Sequence, residues 1–313
     1  MLHDYFEGRQ LAECPSNSSD LPVGGWLHYP GSFSIFVTTA ITALVFSIVT
    51  MVKFNSVRVF NRRIRTDNIS NNFWVAYFLA MTARCDKRAV DAARYANFDD
   101  ETTLDAGLFI SNVVLHGVVS LLLGLALNHQ FKHRSATPPQ VAASATNKLP
   151  EVNSTLARVK DTVVRTETCY YAAFLGYLIT TLMMTIYPDS KVCFWVYVVF
   201  MWAQRLLIWG TTIRIISKPT LNVEGPSPRS KIYLAVAGIL NVLHDEPATL
   251  LQAVLPVSCP FYVFSGVDFV LLLALPSLAL FFAFLKTEYE RNMEECIWTT
   301  VSQIQDTFDY RRF

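Results

Sequence analysis

Residues 72–96 read NFWVAYFLAMTARCDKRAVDAARYA, an apolar run that becomes charged in its second half. The first half has the composition of a membrane-spanning helix. The second half holds six charged side chains: Arg84, Asp86, Lys87, Arg88, Asp91 and Arg94. If this stretch crosses a bilayer, the chain has seven spans, and if it does not, the chain has six. The orientation of every later segment depends on that choice.

The composition of the 313-residue chain is that of a membrane protein. Hydrophobic residues make up 52% and charged residues only 16%, against about 25% charged residues in an average soluble domain, and the mean hydropathy is +0.31. The apolar residues are gathered into long runs, which is typical of membrane-spanning helices. Because the net charge is only +1, no overall field attracts nucleic acid. The expected partner is the lipid bilayer, and no nucleic-acid partner is expected.

Apolar segments before and after the charged stretch are long enough to cross a bilayer. Residues 32–52 contain no charge, over the length of about 20 residues that a transmembrane helix needs. A basic cluster follows them at once: Lys53, Arg58, Arg62, Arg63 and Arg65. With the charged stretch included, the predicted spans are residues 32–52, 72–96, 106–127, 168–187, 192–216, 232–256 and 260–285.

The charges of the loops favour seven spans over six. Cytoplasmic loops carry an excess of Lys and Arg. With seven spans, the first basic cluster, loops 128–167 and 217–231 and the tail all lie on the cytoplasmic side, and the acidic linker that holds Asp99 and Asp105 lies outside. We therefore predict an all-α, polytopic seven-transmembrane bundle over residues 32–286. Residues 1–31 are placed outside or in a lumen, with Asn17 as a glycosylation candidate, and residues 287–313 form a cytoplasmic tail. Loop 128–167, rich in Ala, Ser, Thr and Pro, is expected to be flexible.

Several ionisable residues fall at membrane depth in the predicted spans. Each costs about 2.5–3.5 kcal/mol on insertion scales, so such residues face the bundle interior and pair. Both signs are present, which predicts one buried polar network made of Arg84, Arg88, His116, Arg205, His244, Asp245, Glu246 and Asp268. Two interpretations stay open: ion pairs that only fix the packing of the helices, or a polar cavity for a ligand or a transported ion.

Metal and catalytic sites are not expected. His129 and His133 have the i, i+4 spacing of a metal site, but no acid or cysteine nearby completes it, so we interpret them as surface histidines. Zinc-dependent membrane hydrolases of the adiponectin-receptor and alkaline-ceramidase kind need histidines in the last span, and residues 260–285 contain none. No nucleophile and base pair is visible. The sequence therefore predicts no metal, no cofactor and no enzymatic activity.

The cysteines allow one cross-link on the outer side. Cys193 and Cys259 are both predicted there, and a disulfide between them would tie the outer ends of the last three spans together. Free buried thiols are the other possibility, because spacing alone does not choose a pairing.

Short motifs along the chain are similar to those of a known membrane protein family. They are Arg88-Ala89-Val90, Gly124-Leu125-Ala126-x-x-His129, Tyr187-Pro188-Asp189, Phe194-Trp195, Pro228-Arg229-Ser230-Lys231-Ile232-Tyr233, Ala237-Gly238-Ile239-Leu240, and Pro276 followed by Ala283-Phe284-Leu285-Lys286. In their order and placement the chain resembles the heptahelical family of the adipocyte-associated transmembrane protein of animals and the plant proteins needed for tobamovirus multiplication. The Cys85-Asp86-Lys87 stretch and the Asp245-Glu246 pair depart from that pattern.

The resemblance implies an orphan membrane protein that is receptor-like in topology and has no established catalytic site. Plant relatives act as membrane anchors for viral replication, so the resemblance also implies interaction roles. We therefore expect a signalling protein or membrane scaffold in the plasma membrane or an endolysosomal membrane. Loops 128–167 and 217–231 and the tail would bind cytoplasmic signalling proteins. The alternative is a small solute or ion transporter or channel that uses the intramembrane charges.

Overall fold

The computed structural model describes most of the predicted bundle. The described residues are 30–54, 56–59, 62–65, 69–94, 102–130, 149–187, 190–218, 226–245 and 272–309. They form seven α-helices and one short hairpin. The helices are α1 Pro30–Val49, α2 Ile69–Arg94, α3 Thr102–Gln130, α4 Leu149–Ile186, α5 Lys191–Ile216, α6 Pro228–Asp245 and α7 Ala274–Asp309. The expectation of a helical protein is confirmed.

The segment after α1 is not helical in the ordinary way. A π-helical turn, Thr50–Phe54, ends the first helix, and an antiparallel hairpin follows, made of β1 Ser56–Val59 and β2 Arg62–Arg65. The hairpin uses the residues of the basic cluster, and it was not expected in an all-α protein. Alternation of β-branched and basic residues explains why this stretch pairs as strands, because Val and Ile favour extended backbone.

Two helices are preceded by a serine whose side chain accepts a hydrogen bond from a backbone amide of the first helical turn. Ser190 precedes α5, and its side chain accepts a hydrogen bond from the amide of Cys193 at 3.3 Å. Ser227 precedes α6, and its hydroxyl accepts from the amide of Ser230 at 3.1 Å. Pro228 then occupies the first helical position, where its missing N–H costs nothing.

Side-chain contacts show that neighbouring helices run in opposite directions. Asn71, at the start of α2, donates to the carbonyl of Phe54 at 2.9 Å. Ser70, beside it, donates to Gln130 at the end of α3 at 2.6 Å. Three further contacts lie at this level. Arg214 joins the end of α5 to Asn128 near the end of α3, and Lys231 joins the start of α6 to Lys218 just after α5. Ser227, just before α6, contacts Glu288 of α7. We call this level of the bundle the Phe54 end. Helices α1, α3, α5 and α7 run towards it, and α2, α4 and α6 run away from it.

The core of the bundle lies near the Phe54 end and is rich in aromatic side chains. Trp74 is fully buried there, with its ring centroid 5.9 Å from that of Phe281 and 6.2 Å from that of Phe284. Phe46 of α1 stacks on Phe282 of α7 at 4.1 Å, with their ring planes only 5° apart. Helices α1, α2 and α7 are therefore held together by ring packing.

Large apolar side chains cover the outside of the bundle. Those of α5 recur every three or four residues along one face: Val192, Trp195, Val199, Trp202, Leu206, Trp209 and Ile213. The opposite face of α5 buries polar side chains, including Gln204, Arg205 and Thr211. Helix α6 shows the same pattern of exposed residues, at Ile232, Val236, Ile239 and Leu243. Apolar faces outside and polar groups inside suit a lipid environment.

Three helices of the described part are long and apolar enough to cross a membrane. They comprise residues Phe33–Phe54, Val113–Gln130 and Lys191–Ile216, which overlap the predicted spans 32–52, 106–127 and 192–216. Residues 72–94 of the charged stretch also lie in a helix, α2.

Helix α4 corrects one expectation. Loop 128–167 was expected to be flexible, but α4 begins at Leu149. Apolar residues recur with helical spacing from the start of this helix, at Leu149, Val152, Leu156, Val159 and Val163. That periodicity outweighs the polar composition of the segment.

Candidate functional site

Four helices bring polar side chains together inside the bundle, on the side of the core away from the Phe54 end. We call this set the central polar cluster: Arg84 of α2, His116 of α3, Tyr177 of α4, and Tyr197 and Arg205 of α5. The two arginines are buried, with 7% and 5% of their surfaces exposed. Arginine stays charged in any protein environment, so two fixed positive charges lie inside the bundle.

The hydrogen bond between Arg205 and His116 fixes the protonation of the histidine. Nη2 of Arg205 lies 2.7 Å from Nε2 of His116. A guanidinium group can only donate hydrogen bonds, so Nε2 must accept, and the ring proton resides on Nδ1. His116 is therefore neutral in this arrangement. A protonated imidazole would place two donors, both positively charged, against each other.

Two tyrosines complete the cluster on the side of α4. The hydroxyl of Tyr177 donates to the carbonyl of Val113 at 2.9 Å, so it is free to accept from the hydroxyl of Tyr197 at 3.5 Å. The charges of both Arg84 and Arg205 act on the Tyr177 phenol. Gly117 lets α3 approach this ring closely, since a Cβ there would lie 2.6 Å from Cε1 of Tyr177.

The structure brings together part of the predicted polar network. His116 and Arg205 are hydrogen-bonded to each other. The charge of Arg84 acts on the Tyr177 phenol, as does that of Arg205. Arg88, His244 and Asp245 lie on described helices, but their side chains are not described. Glu246 and Asp268 lie outside the described residues. Tyr177 and Tyr197 were not among the predicted site residues, although their helical spacing with Tyr170 and Arg205 places them on inward faces.

The chemistry of the central polar cluster suits anion recognition or proton exchange. Two guanidinium groups supply fixed positive charge, and in a low-dielectric interior such charge acts strongly on nearby groups. The neutral imidazole and the two phenols supply groups that both donate and accept hydrogen bonds.

A second set of polar contacts lies at the Phe54 end. His129 of α3 forms an ion pair with Glu167 of α4 and stacks on Phe73 of α2, with ring centroids 4.9 Å apart. The indole of Trp74 donates to Gln130 at 3.1 Å. The expectation that His129 is a surface histidine is wrong, because its side chain is 8% exposed. It is instead buried between α2 and α4, where it contacts Glu167 and the ring of Phe73.

Of the remaining predicted site residues, only Cys193 lies in the described part of the chain. Cys193, near the start of α5, is a free thiol. Its predicted disulfide partner Cys259 lies outside the described residues, as do Asn17 and His133. Among the described residues, no three His, Cys, Asp or Glu side chains lie close enough together to hold a metal ion.

The fold and the cluster define a helical protein that has three helices fit to cross a membrane among its described residues and a polar cluster beside its aromatic core. Comparison of the chain with protein-family models, with curated proteins and with solved structures gives no match.

Proposed function

We propose that the chain crosses the membrane seven times and acts as a receptor-like signalling or scaffold protein. The N-terminus would lie outside and the C-terminus in the cytoplasm. The observation that supports this proposal is the alternating direction of the seven described helices, with apolar side chains outside the bundle and the central polar cluster inside. The resemblance to the heptahelical family stated above belongs to the same proposal.

Helix α5 provides a physical route from the central polar cluster to the Phe54 end. Arg205 donates to His116 in the cluster, and Arg214 of the same helix donates to Asn128 at 3.0 Å at the Phe54 end. Nine residues of helix separate the two arginines, a distance of about 14 Å at a rise of 1.5 Å per residue. A helix is a rigid element, so a shift of α5 caused at the cluster is carried to loop 217–231.

The surfaces for cytoplasmic partners would lie beyond the Phe54 end. Helix α4 begins 18 residues before Glu167, and α7 continues 21 residues past Glu288. Loops 128–167 and 217–231, which include the start of α4, offer Lys and Arg to acidic partners. The α7 extension in the tail instead holds five acidic residues and one arginine, which suits basic partners. A scaffold role needs only these surfaces, whereas a receptor role also needs the cluster.

The topology is tested by the three native glycosylation sequons at Asn17, Asn68 and Asn153. We expect an endoglycosidase-sensitive mass shift that Asn17→Gln abolishes, because only residue 17 faces the lumen in the proposed topology. Asn68→Gln and Asn153→Gln serve as matched controls and should leave the shift intact. Loss of the shift in Asn153→Gln would place loop 128–167 outside and overturn the seven-span arrangement.

The receptor role is tested by replacing Arg205 of the central polar cluster and measuring the distance between α5 and α7 at the Phe54 end. Spin labels at Ser217 and Lys286, carried on genetically encoded residues, would report the distance between α5 and α7 in nanodiscs. We expect Arg205→Leu to shift or broaden the distance distribution, because α5 loses its contact with His116. Leu206→Ala, an exposed neighbour, should leave the distribution unchanged. A folded Arg205→Leu variant with an unchanged distribution would rule out coupling through α5.

The second candidate function is an ion or solute transporter, which the two buried arginines favour. Buried charges at membrane depth mark ion pathways as well as ligand sites. Chloride or acetate flux into proteoliposomes that Arg205→Leu abolishes would support this function over the receptor role.

A further inference from the structure

The hairpin after α1 places most of its arginines on one face and its apolar residues on the other. Its strands pair in antiparallel register, with Ser56 opposite Arg65, Val57 opposite Ile64, Arg58 opposite Arg63 and Val59 opposite Arg62. Because successive strand residues alternate between faces, positions 56, 58, 63 and 65 share one face. That face holds three arginines and a serine. The other face holds Val57, Val59, Ile64 and Arg62.

The hairpin is tied closely to the end of the first membrane-crossing helix. That candidate span ends at Phe54, and β1 begins at Ser56. Phe54 is itself held in place, since Asn71 donates to its carbonyl and Tyr289 packs on its ring with centroids 4.7 Å apart. A four-residue strand is about 13 Å long, and the headgroup layer of each leaflet is roughly 5–7 Å thick. The hairpin therefore begins in or next to the headgroup layer.

The charge of the hairpin is uncompensated within its own sequence. Residues 53–65 contain no Asp or Glu and hold five cationic residues: Lys53, Arg58, Arg62, Arg63 and Arg65. Arg58 and Arg63 are direct cross-strand partners, and like charges in that position destabilise a strand pair. A two-stranded hairpin is also only marginally stable by itself. An anion bound on the arginine face would relieve this repulsion and stabilise the pairing.

We propose that this hairpin binds anionic phospholipid headgroups of the leaflet at the Phe54 end, with its arginines on the lipid phosphates. Arginine suits this role because its planar guanidinium group binds phosphate with two parallel hydrogen bonds. The valine and isoleucine positions on the other face suit contact with the apolar boundary of the bilayer or bundle. The cytoplasmic leaflet is the one rich in anionic lipid, so the placement in a cell rests on the proposed topology.

Lipid retention by the purified full chain tests the binding itself. Native mass spectrometry would measure how many phosphatidylserine and phosphatidylcholine molecules the protein retains at equal concentrations of the two lipids. We expect the unmodified chain to prefer phosphatidylserine, and Arg58→Gln/Arg63→Gln to reduce that preference about 25-fold, since one basic residue near an anionic surface contributes roughly a factor of five. Both faces of the protein are accessible in this assay, so its outcome does not depend on the topology.

A charge-matched control removes two exposed cations from the same end of the bundle. Arg229→Gln/Lys286→Gln carries the same change of net charge, and both side chains are exposed. We expect it to lower phosphatidylserine retention less than fivefold. Equal losses in the two double variants would overturn the proposal, since binding would then follow the overall charge rather than the hairpin.

A charge-conserving variant and the lipid preference of the unmodified chain complete the test. Arg58→Lys/Arg63→Lys keeps both charges and should retain most of the preference, which also covers a failure of the glutamine variant to fold. If the unmodified chain shows no preference for phosphatidylserine over phosphatidylcholine at low salt, the proposal is wrong. The arginine face would then belong to an acidic protein segment.

Discussion

Replacement of Trp74 with alanine is expected to lower the free energy of unfolding by about 3–5 kcal/mol, the usual cost of deleting a large core aromatic side chain. Trp74 is fully buried. It touches rings from two helices, with Phe78 of α2 and Phe281 of α7 both at 5.9 Å between centroids. Its indole also donates to Gln130 of α3. The variant would lose contacts among three helices at once and leave a cavity that rigid neighbours do not fill.

The matched control for this prediction is Leu79→Ala on the same helix. Leu79 is 47% exposed, and a lipid-facing side chain exchanges protein contact for lipid contact at little cost. We expect the control to change the free energy of unfolding by less than about 1 kcal/mol, as for surface substitutions in general. Denaturation of the purified chain in mixed detergent micelles measures both values. Similar losses in the two variants would mean that Trp74 is not a core residue.

The helix formed by the charged stretch shows what the sequence could predict. The apolar run that begins at Phe73, with a basic cluster before it and an acidic linker after it, predicted a helix over residues 72–96, and the structure has α2 at Ile69–Arg94. Arg84 is buried in it, as expected for an arginine at membrane depth. Position along a helix follows directly from the sequence, because each residue adds a fixed rise.

The partners of the buried charges could not be predicted in the same way. Sequence position sets the depth of a residue, but the rotation of each helix about its axis decides which side chains meet. Arg205 and His116 were placed at similar depth in different spans, and their hydrogen bond depends on the packing of α3 against α5. The His129–Glu167 ion pair was missed for a different reason, since Glu167 fell at the edge of a segment expected to be a flexible loop.

Averages over a whole helix also hide the two faces of α4. Its inward face is buried at Tyr170, Tyr177 and Thr181, whereas Leu175 and Ile179 are exposed. The tyrosines and threonines lower its average hydropathy, yet they are the residues that face the bundle. A span with a polar inner face is therefore recognised better by its periodicity than by its mean hydropathy.

Helices α3 and α4 also pack against each other at Gly124. A Cβ built at this position overlaps the ring of Tyr170, which is buried and held at its hydroxyl. That hydroxyl donates to the carbonyl of Leu207 at 2.9 Å and accepts from Thr211 at 2.8 Å. The ring cannot move away from a new methyl group without losing both hydrogen bonds to α5. We expect Gly124→Ala to lower the free energy of unfolding by about 1–3 kcal/mol, the cost of overpacking a core.

Gly210→Ala is the control, and its effect should have the opposite sign. A Cβ at Gly210 meets no atom within 4 Å, so alanine there gains helix propensity, which is worth about 0.5–1 kcal/mol. Tyr170→Ala completes the test, because the cost of Gly124→Ala should largely disappear once the ring is absent. A double-mutant cycle measures that coupling. If Gly124→Ala were as harmless as Gly210→Ala, or equally costly with and without the ring, α3 and α4 would not meet at this glycine.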